Sequence, residues 1–191
     1  MTVFSQDVDK HYFDKPLITD SLTTIMIPVR PSVGANFNPN YLDYCYRNIL
    51  FYDFVADSYT ELFSSDTYIC DYDKSFNLNQ NYQLINRPFF ISSKWIFYFV
   101  KDIDFNRNGK IDEADPWILY VSDRKGKGLT AITKPNMNIL SIGIFDNQDF
   151  ALLKIQEDTN GNGKYDVNDK WYYQRLDLKT LTLSHNKIEI K

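Results

Sequence analysis

Short apolar runs of strand length, broken by polar turns, recur along the chain. Residues 95–100, 117–121, 129–133, 150–155, 171–176 and 181–183 are rich in aromatic and aliphatic side chains. Their length and composition predict β-strands. They form two like series. In each, one strand leads into a polar loop, a second leaves it beginning with tryptophan (Trp117, Trp171), and an acidic turn (Asp123, Asp177) leads to a third. No helical spacing flanks either loop, so each is expected to join the two strands of a hairpin. A degenerate upstream series reads 24–29, 48–54 and 59–63, with residues 31–47 in place of the polar loop. Residues 67–70 and 139–145 predict a fourth strand for a unit, residues 87–90 a strand entry, and the Asn/Gln-rich stretch 75–86 a loop. Residues 188–190 are read as returning to complete the first sheet. The expectation is a single all-β domain of three units, about 20–65, 66–134 and 135–191.

The two polar loops carry a cation-loop pattern in register. The first places Asp104, Asn106, Asn108, Gly109, Lys110, Asp112 and Asp115 at positions 1, 3, 5, 6, 7, 9 and 12. The second places Asp158, Asn160, Asn162, Gly163, Lys164, Asp166 and Asp169 at the same positions. Calcium is a hard ion that takes six to eight oxygens, and a twelve-residue loop supplies them from alternating side chains and one carbonyl. Here the carbonyls at position 7 belong to Lys110 and Lys164. The acids at position 9 act through a water, and Asp115 and Asp169 close the loops in place of the usual Glu. The glycines at position 6 permit the sharp turn, and Ile111 and Tyr165 at position 8 are expected to face the core. Each loop brings only three carboxylates and a short closing acid. That predicts modest calcium affinity, on the order of 10⁻⁵–10⁻³ M, the extracellular range. With strands on both sides there is no helix pair to open, so the metal is read as structural and not as a switch. The plainer reading is two Asn-Gly hairpin turns flanked by solubilising acids; the in-register duplication favours metal.

The 14 Tyr and 14 Phe against 7 Gly reinforce strands over helices. A net charge of −4, with no basic cluster longer than the turn at residues 124–127, argues against nucleic acid as partner. The longest apolar run, 95–100, is too short to span a bilayer. Residues 1–9 have neither a basic nor an apolar leader segment. Taken literally the protein is cytoplasmic; with a leader removed it would be periplasmic, surface-bound or secreted. The cysteines, Cys45 and Cys70, lack C-x-x-C spacing, and two half-buried free thiols are favoured over a disulfide.

Residues 118–133, reading Ile-Leu-Tyr-Val-Ser-Asp-Arg-Lys-Gly-Lys-Gly-Leu-Thr-Ala-Ile-Thr, resemble a blade of TolB-like β-propellers. The resemblance spans roughly 90–183, and the loops resemble EF-hand and dockerin loops, in which the position-12 acid is a direct ligand. Uncharacterised bacterial envelope proteins built from such units look similar. The resemblance implies a propeller-like array of three to four small antiparallel sheets, fewer than closed propellers normally use.

No nucleophile, zincin or P-loop motif is present. His11 and His185 are read as solvent-exposed. Asp102 beside Asp104 is read as a ligand's neighbour and not as half of a glycosidase pair. Trp95, Trp117 and Trp171 are expected in the core, the last two pinning the loop exits. Tyr41, Tyr44 and Tyr46 are candidates for an exposed recognition loop, with partial burial the plainer reading. The resulting expectation is a calcium-stabilised binding or scaffold module for an unknown protein or glycan. The alternatives are a glycan-active hydrolase and a partial propeller that self-associates.

Overall fold

A computed structural model describes residues 11–20, 23–31, 42, 45–65, 67–70 and 90–189. The expected loop at 75–86, Tyr41, Tyr44 and residues 87–89 lie outside them. The described residues form three antiparallel sheets and no α-helix.

The first sheet orders β1 (His11–Phe13), β3 (Thr24–Pro31), β4 (Asn48–Asp53) and β5 (Ser58–Glu61), with β2 (Leu17–Asp20) also on β3. The second orders β10 (Thr130–Ala131), β9 (Ile118–Asp123), β8 (Trp95–Lys101) and β6 (Tyr68–Cys70), with β7 (Phe90–Ile91) also on β8. The third is the meander of β11 (Met137–Phe145), β12 (Phe150–Glu157), β13 (Lys170–Asp177) and β14 (Thr182–Glu189). Among the described residues the sheets close into no barrel or ring.

Burial along the strands shows how the sheets stack. On β8 every residue after Trp95 is buried, because side chains alternate between two covered faces. Ile96, Tyr98 and Val100 pack with Met26, Ile49 and Phe51 of the first sheet. Phe97 and Phe99 pack with Leu119, Leu153, Ile155 and Leu176 on the side of the third sheet. The second sheet is therefore the middle layer. Each fully buried Phe there stabilises the fold by about 1.5–3 kcal/mol. The Tyr98 hydroxyl, deep in one interface, pairs with the Ser122 hydroxyl at 2.7 Å, so its burial leaves no unmet hydrogen bond. On β13, by contrast, Tyr172, Gln174 and Leu176 are buried while Trp171, Tyr173 and Arg175 are exposed. One face of that sheet meets the middle layer and the other does not.

The repeat extends to the turns. Asp123 Oδ1 accepts from the Lys125 and Lys127 amides at 2.8 Å each. Asp177 Oδ1 accepts from the Lys179 and Thr180 amides at 2.8 and 2.9 Å. Asp53 Oδ1 does the same for Val55 and Ala56 at 2.9 and 3.0 Å. These Asx-type bonds cap the same turn in all three sheets, and they hold the Asp53 and Asp177 carboxyls below the usual range. Asp53 is the signal that ties the loop-less first series to the other two.

Several expectations are corrected. Of residues 188–190, the described ones, Ile188 and Glu189, do not return to the first sheet: they lie on β14, opposite Tyr173 and Tyr172 of the third. A turn at Asp177–Leu181 folds the chain straight back, and hairpin closure over a few residues is favoured over a long return. Trp171 is not a core residue but 48% exposed, because it falls on the uncovered face of its sheet, whereas Trp117 is 7% exposed.

The cysteines are not free thiols. Cys45, 1% exposed, is disulfide-bonded, and the only other cysteine in the sequence is Cys70 on β6. The cause lies in the register. Tyr46 and Ile69 exchange both backbone bonds at 2.9 Å in an isolated antiparallel bridge. Residues 45 and 70 are then the adjoining, non-hydrogen-bonded pair, whose Cα atoms approach to about 4.5 Å, within disulfide range. Tyr46 itself is 7% exposed, with its ring under the Arg30 guanidinium at 4.2 Å, so it offers no exposed aromatic surface. His185 is exposed, as expected, and His11 lies on β1.

Candidate metal centre

The β8–β9 and β12–β13 hairpins carry the two loops, strand to strand, as the hydrophobic pattern predicts. Their hydrogen bonds correspond position by position. Asp104 accepts from the Asn108 amide at 3.0 Å and the Gly109 amide at 2.8 Å. Asp158 accepts from Asn162 at 3.2 Å and Gly163 at 2.9 Å. Asn106 and Asn160 each accept from the amide two residues on, at 2.9 Å. Asn108 and Asn162 do likewise, at 3.1 and 2.8 Å. The closing acids reach back across the loops. Asp115 accepts from Phe105 and Asp112 at 2.8 Å each, and Asp169 from Thr159 at 3.3 Å and Asp166 at 2.9 Å. Gly109 and Gly163 have φ of +92° and +70°, as position 6 demands.

The tertiary structure also sets the loops side by side. The Phe105 and Tyr165 rings stack with centroids 5.9 Å apart. A Cβ on Gly163 would sit in van der Waals contact with the Asn106 Cα, at 3.5 Å, so the two loop backbones run one side chain's width apart. Tyr165, half-buried, donates its hydroxyl to the Pro135 carbonyl. Burial pushes that hydroxyl's pKa up, helped by Asp158 and Asp169 of its own loop and Asp115 of the other. Tyr165 at position 8 thus faces the partner loop and not the main core, whereas Ile111, partly buried, lines a separate depression with Leu42 and Tyr68. A cleft of about 700 Å³ runs between the loops, lined among others by Lys101, Asn106, Trp117, Gln156 and Tyr165.

Two side chains on the entering strands fasten the loops, and the motif does not contain them. Gln156 on β12 donates to the Asp166 carbonyl at 2.8 Å. Lys101 on β8, 2% exposed, donates to the carbonyls of Glu113 (3.0 Å) and Asp115, and its ammonium lies 4.8 Å from the Trp117 ring centre. Burial pulls this ammonium down to about 8. Replacing it by Met keeps the packing but leaves two carbonyls without a donor. Lys101→Met should destabilise by about 1–3 kcal/mol, read as a lower urea midpoint at unchanged slope; an unchanged midpoint would show that the ammonium holds nothing.

The donors in each loop are carboxylate, amide and backbone oxygens, with no thiolate or imidazole. That set suits a hard cation. Among the described residues no three His, Cys, Asp or Glu side chains gather as a group, so amide and carbonyl oxygens would have to complete any coordination. In the first loop the Asn108 amide also donates to Asp112 at 3.0 Å. With the Ala114 amide foremost, that bond helps hold the Asp112 carboxyl below its usual range. Asp102 is turned to Tyr120, whose hydroxyl it accepts at 2.6 Å.

Among the described residues, no helix is long and apolar enough to cross a membrane. Compared with protein-family models, with curated proteins and with solved structures, the chain has no match.

Proposed function

We propose that this protein is a calcium-stabilised binding or scaffold module, built of TolB-like sheets in a propeller-like array and holding two structural Ca²⁺ in EF-hand- or dockerin-like loops. One observation carries the reading. Two loops far apart in sequence share one hydrogen-bond framework and pack against each other, Phe105 on Tyr165. Asp104, Asn106, Asn108, the Lys110 carbonyl, Asp112 and Asp115 would hold one ion. Asp158, Asn160, Asn162, the Lys164 carbonyl, Asp166 and Asp169 would hold the other. The ion supplies charge neutralisation and cross-linking, and the chain's own residues set the loop geometry. A disulfide at Cys45 and low-affinity calcium loops both suit an oxidising, calcium-rich compartment outside the cytoplasm. The partner to be bound is a protein or a glycan.

Equilibrium dialysis against calcium provides the test. The expected stoichiometry is two ions per chain with dissociation constants of about 10⁻⁵–10⁻³ M, falling to one in Asp104→Ala or Asp158→Ala. A chain that takes up no calcium at millimolar concentration would refute the proposal.

A further inference from the structure

The middle sheet is covered on both faces, and each end sheet on one. Alternation assigns the remaining faces. On the first sheet the pairs Ile27↔Leu50 and Tyr52↔Tyr59 point away from Met26 and Phe51. With Phe13 and Val29 they line a shallow apolar depression of about 430 Å³, and Phe13 and Tyr59 are 68% and 63% exposed. On the third sheet the outward residues are Trp171, Tyr173, Arg175, Lys154 and Phe150. Trp171 and Tyr173 are 48% and 40% exposed, and Ile188 beside them 62%. Neither face is covered among the described residues, and grouped exposed aromatics on a sheet face mark an interaction surface.

The two faces complement each other. One is concave and apolar and carries acid: Glu61 is exposed at its rim, and Asp57 is held there by the Tyr52 hydroxyl at 2.8 Å. The other projects aromatic rings and carries cations, Lys154 at 5.1 Å over Trp171 and Arg175 at 5.0 Å over Phe150. Inside the chain, apolar sheet faces already stack twice, first on second and second on third. We infer that the outer face of the first sheet receives the outer face of the third sheet of a second copy of this chain, continuing the stack head to tail. Such a contact is heterologous: two copies joined at both ends close into a ring of sheets, and copies joined at one end extend. The occupant is another copy because both halves of the complementary pair lie on every chain. The inference stands apart from the calcium reading.

Sedimentation velocity of the full chain over roughly a thousandfold concentration range, once in calcium and once in EGTA, tests it. The mass is expected to rise from one chain to two or more, and the association to weaken with salt. Glu61→Arg or Arg175→Glu alone puts like charges across the contact and should weaken association at least about tenfold. The double variant Glu61→Arg/Arg175→Glu exchanges the charges and should restore it. Both positions are exposed, and an unchanged far-UV spectrum confirms that each variant folds. A chain that stays monomeric at every concentration, whatever glycan or protein it captures, overturns the inference. So does association equally strong in all four proteins.

Discussion

Chelation of calcium with EGTA is expected to lower the melting temperature by about 10–20 °C. Each site binds only the folded chain, so calcium at a hundredfold excess over Kd stabilises by about 2.7 kcal/mol per site, about 5 kcal/mol for two. In a domain of this length 1 kcal/mol moves the midpoint by about 2–4 °C. Magnesium should restore little of the loss, because it prefers a smaller, near-octahedral shell and keeps its waters. Asp104→Ala and Asp158→Ala each remove one ligand at position 1 and should forfeit at least half of the shift. The loops touch through Phe105, Tyr165, Asn106 and Gly163, so emptying one should also loosen the other, and the two substitutions should not add. Identical melting curves in calcium, magnesium and EGTA would rule out structural metal and leave the loops as self-bonded turns.

Reduction of the disulfide, or Cys45→Ser, is expected to destabilise the fold by about 3.5 kcal/mol, the loop-closure entropy of a cross-link spanning residues 45 to 70. Cys45 packs in the core that the second sheet shares with the third, outside both loops, while the adjoining Tyr46–Ile69 bridge joins two residues of the core between the first and second sheets. It should therefore appear equally in calcium and in EGTA, which separates it from the loops. Chemical denaturation with and without a thiol reductant measures it. A midpoint insensitive to reductant would mean that the bridge confers nothing on the folded state.

The hairpins were readable because their information is local. Alternating and continuous apolar runs marked β8, β12 and β13, and loop positions 1 to 12 fell within a single turn of chain. The loop framework depends on bonds between residues at most 10 apart, which side-chain chemistry alone can prescribe. The acidic turn after the second strand of each series was equally local, and residues 51–63 carry it, with Asp53, even without a metal loop beside it. Lys101 and Gln156 were invisible as loop clamps: each belongs to a strand pattern, and only the turn of the hairpin carries its head group to a carbonyl on the far side. Trp171 read as core because a tryptophan at a strand start commonly is. Its exposure follows from which face of the last sheet has a neighbour.

Local chemistry thus decided that the chain is β-stranded, that its strands come in repeated hairpins, and where acids and amides would surround an ion. Three things came only from the folded molecule: the pairing of Cys45, the packing of one loop against the other, and the placing of one sheet between two. Each depends on contacts between residues many positions apart, where the chain must close long loops before any contact stabilises it. Periodicity names the face that is apolar; the third dimension decides what lies against it.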